Sequence, residues 1–190
     1  EILQLETDLR RAVERDELTV YYQPIYSLAT GTIECLESLA RWHHPKLGRV
    51  DPGVFIPVAE ETGLIHAIGN WVLDQACERL TYWVRADVPF AGRLSVNVSP
   101  WQFTRPDFVR QVAHILAHRN TDPGRLTIEI TETALLYDLN ETIEKLKALR
   151  AMGLMISLDD FGTGYSSLAY LKALPLDELK IDQAFVHELG

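Results

Sequence analysis

The stretch RLTIEITETALLYDLNETIEKLKALRAMGLMISLDD, residues 125–160, decides the fold class. Two runs rich in β-branched and apolar residues, Arg125–Thr131 and Leu154–Asp159, predict strands. The segment between them, Asn140–Met152, has apolar residues at helical spacing. A strand, a helix and a second strand in this order are typical of parallel strands with the helix packed outside the sheet. The unit therefore predicts an α/β fold.

The same alternation continues on both sides of this unit. It predicts further strands at Arg93–Ser99 and Glu178–Ile181 and further helices at Pro52–Glu61, Leu64–Arg85, Pro106–Arg119 and Ser166–Ala173. Near the start, the extended runs Leu18–Ile25 and Thr32–Trp42 are joined by the turn Ala29-Thr30-Gly31, which predicts a hairpin and an antiparallel first pairing. This makes about six strands, whereas a closed (β/α)₈ barrel has eight and about 250 residues.

Capping residues support two of these boundaries. Asp138 or Asn140 could cap the start of the helix that precedes the strand at Leu154, and Gly153 fits its C-terminal cap. The chain opens on another helix, which ends near Asp16 and begins without a cap, as a helix continuing from elsewhere would. Its apolar positions recur at helical spacing and are Ile2, Leu5, Leu9, Ala12 and Val13. We expect residues 1–16 to be a linker helix from a preceding domain.

Composition excludes several functions for this segment. The 190 residues have 47% hydrophobic composition, enough for the core of one domain, and a formal net charge of −9. Such a charge argues against binding duplex nucleic acid, which needs clustered Lys and Arg. No apolar run approaches the ~20 residues that cross a bilayer, so we expect no membrane contact. Two cysteines without metal-ligand spacing, Cys35 and Cys77, favour reduced thiols in the cytoplasm.

Polar residues interrupt the predicted strands near their C-terminal ends. Strands buried on both faces usually read as continuous apolar runs, and unpaired carboxylates there are costly. The interrupted runs are Cys35-Leu36-Glu37, Ser95-Val96-Asn97-Val98, Thr127-Ile128-Glu129-Ile130, Ile156-Ser157-Leu158-Asp159-Asp160 and Glu178-Leu179-Lys180-Ile181. Because the C-terminal ends of barrel strands meet at one mouth, we expect these side chains to lie close together.

A cluster of four carboxylates and one amide predicts a divalent metal site. The members are Glu37, Asn97, Glu129, Asp159 and Asp160. Oxygen ligands suit Mg²⁺ or Mn²⁺, and adjacent aspartates suit two metals about 3.5–4 Å apart, the arrangement used for phosphoryl displacement. Lys180 could orient the attacking water or stabilise developing charge. Two alternatives stay open: each polar residue is a solvated strand end, or all belong to a network of salt bridges.

Short motifs in a fixed order resemble the EAL-domain phosphodiesterases from about Leu18 to the end. They are Tyr22-Gln23-Pro24-Ile25, Glu37-Ser38-Leu39-Ala40-Arg41-Trp42, Phe55-Ile56-Pro57-Val58-Ala59-Glu60, Asn97-Val98-Ser99-Pro100, Glu129-Ile130-Thr131-Glu132, Asp159-Asp160-Phe161-Gly162-Thr163-Gly164-Tyr165-Ser166-Ser167-Leu168 and Leu179-Lys180-Ile181-Asp182. The resemblance implies a TIM-like (β/α)₈ barrel with an antiparallel first strand. It implies hydrolysis of cyclic di-GMP to linear pGpG with two Mg²⁺ or Mn²⁺ ions, in bacterial second-messenger signalling.

The resemblance also implies roles for individual residues. Metal ligands would be Glu37, Asn97, Glu129 and Asp159, with Asp159 shared between the ions and Asp160 on the second ion. Lys180 matches the lysine that contacts the nucleophilic water.

Roles of three further residues concern the substrate and a loop. Arg41 matches a phosphate-contacting arginine, and Gln23 lies in a motif that borders the substrate pocket. Glu132 matches a glutamate that anchors the loop from Asp160 to Ser167. In the family this loop couples dimer contacts to the metal site, so a homodimer is implied.

Two departures from the family pattern limit the expectation. Ser38 stands where alanine is usual, a change we expect to matter little because serine is nearly as small. A glutamate on the family's next strand and a later substrate-contacting glutamine have no counterpart here, so residues 17–190 resemble the domain without its C-terminal portion. A preceding diguanylate-cyclase-type or sensor domain is implied as well.

Other functions remain as alternatives or are disfavoured. A non-catalytic cyclic-di-GMP receptor and a dimerisation module are the alternatives, and the full ligand set disfavours both. The triplet Asp160-Phe161-Gly162 resembles a kinase motif but lacks the accompanying Gly-rich loop. The pair His43-His44 before Pro45 predicts an exposed loop.

Overall fold

The computed structural model describes residues 2–136, 138–161 and 173–182. Its helices are α1 (Ile2–Ala12), α2 (Pro52–Glu61), α3 (Ile65–Arg85), α4 (Pro100–Phe103), α5 (Phe108–Arg119) and α6 (Leu139–Ala151). Its strands are β1 (Leu18–Tyr26), β2 (Ile33–His44), β3 (Gly48–Val50), β4 (Arg93–Val98), β5 (Leu126–Thr131), β6 (Met155–Phe161) and β7 (Glu178–Ile181). Two 3₁₀ turns, Pro123–Arg125 and Glu132–Leu136, flank β5.

The strands form one sheet in the order β1-β2-β4-β5-β6-β7. Strands β1 and β2 pair antiparallel. The pairs β2 with β4, β4 with β5, β5 with β6 and β6 with β7 are all parallel. The predicted hairpin, the parallel order and the antiparallel first strand are confirmed. Pro24 lies in β1, a strand at one end of this order, where a missing N–H is tolerated.

Two short elements were not predicted. Strand β3 has three residues and pairs antiparallel with the end of β2, and such a short run shows no periodicity. Helix α4 has four residues and begins at Pro100, with the Ser99 hydroxyl accepting a hydrogen bond from the Trp101 N–H. Its capping signal was present in the sequence as Ser99-Pro100.

The central strands have one apolar and one polar face. Side chains alternate along a strand, so Leu94, Val96 and Val98 of β4 share one face and pack in the core with the helices. The opposite face carries Ser95 and Asn97. The same alternation in β5 and β6 sets Ile128 and Ile156 on the apolar face. The polar residues that interrupt the strands therefore share the face turned away from the helices.

The opening helix packs on this core. Leu9 and Ala12 of α1 are buried, and Nε2 of His44 lies 3.2 Å from Oδ2 of Asp8. Nδ1 of His44 accepts hydrogen bonds from the backbone N–H groups of Lys46 and Leu47. Because Nδ1 is an acceptor, Nε2 carries the proton and donates it to Asp8.

The histidine pair was therefore predicted wrongly. His44 lies at the end of β2 and is 6% exposed, and only His43 is exposed. A nearby bond also fixes the chain after α1, since the Trp42 indole N–H donates to Glu17 at 3.1 Å.

Helix boundaries follow the expected capping chemistry. Asp138, the first of the two candidates, accepts a hydrogen bond from the Glu141 N–H at the start of α6, and Gly153 after this helix has φ 99°. The predicted helix Ser166–Ala173 lies outside the described residues except for Ala173. Among the helices that the structure describes, none combines the length and apolar character of a membrane span.

Candidate functional site

Polar side chains meet at the C-terminal ends of the parallel strands. Asn97 of β4 and Glu129 of β5 are neighbours in register, and the Asn97 amide donates to Oε1 of Glu37 on β2 at 2.7 Å. Gln23 on β1 stands opposite Glu37. Three residues predicted as metal ligands and one predicted to border the substrate are thus neighbours across four adjacent strands.

Lys180 of β7 joins two of these carboxylates. Its ammonium donates to Oε2 of Glu129 at 2.7 Å and to Oε2 of Glu37 at 3.4 Å. Burial raises the pKa of Glu129, and the Lys180 ammonium partly offsets this rise. Burial acts to lower the pKa of Lys180, but the Glu129 and Glu37 carboxylates outweigh it and the pKa is raised. Lys180 is therefore a protonated donor in the middle of the acidic group.

The two aspartates at the end of β6 differ in environment. Oδ1 of Asp159 accepts a hydrogen bond from the Asp160 N–H at 2.9 Å. Asp160 has φ 55°, in the left-handed region. Partial burial raises the pKa of the Asp160 carboxyl, and the neighbouring Asp159 and Asp182 add to the rise. The backbone turn at Asp160 thus holds its carboxyl beside two others.

Glu132 follows β5 directly, as the first residue of a 3₁₀ turn. The residue is 5% exposed. The loop that it was predicted to anchor, Asp160–Ser167, is described as far as Phe161. Its predicted contact with the rest of that loop lies outside the described residues.

A pocket of about 570 Å³ is lined in part by Asn97, the residue whose amide donates to Glu37. Residues of β2, β3, β4, α2, α3 and α4 line it, including Arg41, Asn97 and Arg49. Gly69 of α3 is needed at its wall because a Cβ there would overlap the side-chain amide of Gln102, which is 3% exposed. The predicted phosphate-contacting Arg41 thus shares a cavity with one of the predicted metal ligands.

The donors at the mouth fit divalent ions in chemical type. Carboxylate and amide oxygens are the ligands that Mg²⁺ and Mn²⁺ select. In the part of the chain that the structure describes, no three acidic, histidine or cysteine side chains converge on a single metal position. The charge that balances Glu37 and Glu129 is that of Lys180. Glu37 and Glu129 are thus both paired with Lys180 in this structure.

Three residues of the site were given no role from the sequence, although one of them stands in the motif Leu179-Lys180-Ile181-Asp182. Tyr21 and Arg49 are two of them: the guanidiniums of Arg41 and Arg49 both lie over the Tyr21 ring, and no pattern marks an isolated arginine or tyrosine as functional. Asp182 acts on Asp160. Its position two residues after Lys180, on the same side of the extended chain, was a usable signal.

Fold and site together define an α/β protein with parallel strands and an acidic mouth at their C-terminal ends. The chain belongs to the EAL domain family: the family model described as EAL domain matches residues 6–190. The solved structures that it resembles are EAL domains, which confirms the TIM-like barrel class.

Two curated relatives are bacterial proteins named as cyclic di-GMP enzymes. The bifunctional diguanylate cyclase/cyclic di-GMP phosphodiesterase MucR of Pseudomonas aeruginosa is 45% identical over 193 residues, covering 100% of this chain and 28% of MucR. The cyclic di-GMP phosphodiesterase NbdA of the same organism is 42% identical over 191 residues, covering 98% of this chain and 24% of NbdA. The chain spans about a quarter of the length of these relatives.

Two solved structures carry the ligand in their descriptions. The MucR phosphodiesterase in complex with c-di-GMP has a TM-score of 0.92 and 45% identity, over 98% of this chain and 75% of that one. The FimX EAL domain of Xanthomonas citri, also in complex with c-di-GMP, has a TM-score of 0.85 and 26% identity, over 99% and 72%.

Proposed function

We propose that this chain forms most of the catalytic domain of a metal-dependent phosphodiesterase that hydrolyses cyclic di-GMP to linear pGpG. The observation that carries the proposal is the contact of Lys180 with Glu37 and Glu129, at a mouth that opens on the pocket lined by Arg41. A receptor needs a pocket for the ligand, whereas a protonated lysine among carboxylates serves chemistry on a phosphate. MucR and NbdA, both named as cyclic di-GMP phosphodiesterases, support the same substrate.

The proposed roles follow the geometry of the mouth. Two Mg²⁺ or Mn²⁺ ions would be held by Glu37, Asn97, Glu129, Asp159 and Asp160. Bound there, such ions supply Lewis acidity and lower the pKa of water. Lys180 orients the attacking water through its N–H donors, and Arg41 neutralises charge on a phosphate oxygen. Gln23, opposite Glu37 on β1, borders the substrate.

Glu132 has a positioning role in this proposal. It lies one residue after Thr131, which pairs in register with Asp159. Glu132 is buried, and we propose that it anchors the loop that follows Asp160, as family resemblance implies. A change at Glu132 is expected to act on the aspartates through that loop, without contact to substrate.

The proposal extends to the setting of the domain. We place it in the cytoplasm, because Cys35 and Cys77 are both free and buried. The homodimer and a preceding diguanylate-cyclase-type or sensor domain remain predictions from family resemblance. The role of α1 as a linker from such a domain also stays a prediction, and its packing on the core through Leu9 supports a fixed junction.

The test measures hydrolysis of cyclic di-GMP by the full natural chain. Linear pGpG is expected to form with Mg²⁺ or Mn²⁺, to stop with a chelator, and to be lost in Glu37→Ala. Glu34→Ala is the matched control because Glu34 lies exposed on the same strand. Tight binding of cyclic di-GMP with no turnover, at any concentration of either ion, would instead establish a receptor.

A further inference from the structure

Two arginines share one aromatic ring at the rim of the pocket. The guanidinium carbon of Arg41 lies 5.7 Å from the centroid of the Tyr21 ring, and that of Arg49 lies 6.0 Å from the same centroid. Both arginines line the pocket of about 570 Å³. Two cations held by one ring concentrate positive charge at a single place in a chain of net charge −9.

Neither guanidinium has a carboxylate partner among residues 2–136, 138–161 and 173–182. Arg41 donates to the backbone carbonyl of Ala40 at 2.9 Å, and its Nε is buried without a hydrogen-bond partner. An unsatisfied buried donor on a charged group is costly, so a ligand anion that accepts from it is favoured.

The carboxylates that line the same pocket are already engaged. Asp51 accepts a hydrogen bond from the Gly53 N–H at 2.7 Å, where it caps α2. Glu60 accepts from the Ser99 hydroxyl at 2.6 Å. Within the described part of the chain, the pocket therefore has two acidic groups that already accept hydrogen bonds and two guanidiniums that no carboxylate neutralises.

The strand register separates this rim from the acidic mouth. Arg41 lies four residues after Glu37 on β2, about 13 Å along an extended strand. Arg49 of β3 pairs with His43, one alternate position further along β2. Since residues two apart share a face, Glu37, Arg41 and the partner of Arg49 follow one column of the sheet. The rim therefore lies at one end of this column, and Glu37, which contacts Lys180, lies at the other end.

We propose that Arg49 is a substrate-binding residue, and that Arg49, Tyr21 and Arg41 form an anion-binding rim. The rim takes the second phosphate of a cyclic dinucleotide while the first lies at the acidic mouth. This inference rests on the proposed function, because it needs a substrate with two phosphates. Arg49 acts on binding and leaves the hydrolytic step unchanged.

The test compares Arg49→Gln with Arg110→Gln in the full natural chain. Arg110 lies exposed on α5, away from the pocket lining, and its change removes the same charge. Arg49→Gln is expected to raise the KM for cyclic di-GMP by about 10-fold with kcat unchanged, because one charge-assisted contact is lost. The affinity of Arg49→Gln for cyclic di-GMP should also fall less steeply with salt concentration than that of the unaltered protein.

Each other outcome decides the inference. If Arg49→Gln matches Arg110→Gln in KM, or lowers kcat at constant KM, Arg49 is not a substrate-binding residue. Tyr21→Leu is a second variant, expected to raise KM as well, since the shared ring holds both guanidiniums. If the unaltered protein neither binds nor hydrolyses cyclic di-GMP, the proposed function itself fails and this inference fails with it.

Discussion

The Lys180 ammonium on β7 donates at 2.7 Å to the carboxylate of Glu129 on β5, although the two residues are 51 positions apart. Glu129 is 2% exposed, so its charge has little contact with water. A buried charge whose partner is removed is strongly destabilising. The pair therefore has a structural role besides the chemical one that we propose for it.

Lys180→Met is expected to lower the free energy of unfolding by about 3–5 kcal/mol, because Glu129 is left as an unpaired buried charge. Urea unfolding at pH 7 measures this. Lys147→Met, which breaks the exposed pair with Glu144, is the control and should cost less than about 1 kcal/mol. The double variant Lys180→Met with Glu129→Gln should recover part of the loss. Equal free energies of unfolding for Lys180→Met and Lys147→Met would show that the buried pair of Lys180 and Glu129 contributes nothing to stability.

Thr127→Val is expected to stabilise the protein by about 1 kcal/mol. Thr127 is 1% exposed, and its buried hydroxyl has no hydrogen-bond partner among the described residues, so its burial is uncompensated. Thr121→Val is the matched contrast, because the Thr121 hydroxyl donates to the Cys77 carbonyl at 3.2 Å. Its loss should cost about 1 kcal/mol. Shifts in urea midpoint of opposite sign would support both assignments, and shifts of the same sign would contradict them.

His44→Ala and His43→Ala should differ although the residues are adjacent. His44 is buried and accepts from two backbone N–H groups of the turn before β3, so its loss leaves those donors without a partner. A cost of about 2 kcal/mol is expected, against at most about 0.5 kcal/mol for exposed His43. Thermal unfolding of both variants tests this, and a larger effect at His43 would refute the burial argument.

Neither cysteine should react quickly with a thiol reagent in the folded protein. Burial raises the pKa of Cys77 to about 11, and it raises that of Cys35 as well. At pH 8 the reactive thiolate is therefore scarce and inaccessible. Labelling should be slow in buffer and complete in urea, and fast labelling of either thiol in buffer would contradict it.

The same shift predicts a loss of stability at alkaline pH. The unfolded Cys77 thiol ionises near its ordinary pKa of 9.0, whereas the folded thiol stays protonated to about 11. The unfolded state thus binds fewer protons between these values, so the free energy of unfolding falls as pH rises from 9 to 11. Cys77→Ser should weaken this dependence, which urea unfolding at several pH values would show.

The parallel arrangement of the strands and the position of the mouth could be predicted from the sequence because both follow from alternation. The unit from Arg125 to Asp160 alone indicated parallel strands, and Glu37, Asn97, Glu129 and Lys180 do meet where the strands end. The polar residues that interrupt the strand sequences lie on one face of the sheet. The other face packs against helices.

What the sequence could not predict depends on distant contacts. His44 is buried because Asp8 of α1 and the turn before β3 surround it, and neither partner is visible in the local pattern His-His-Pro. The closeness of Arg49 to Arg41 depends on a three-residue strand that has no periodicity. Individual side-chain positions at the mouth also depend on Lys180, whose partners lie on β2 and β5.

The left-handed backbone at Asp160 limits how this position can change by mutation. Asparagine and glycine accept φ 55° but remove the negative charge, whereas glutamate keeps the charge but has no short side chain to ease that conformation. Alanine, valine, tyrosine and histidine lack the charge altogether. These seven are all the amino acids that one base change in an aspartate codon can produce. Every single-base mutation that changes the amino acid at position 160 therefore removes either the negative charge or the short side chain that favours the left-handed backbone conformation.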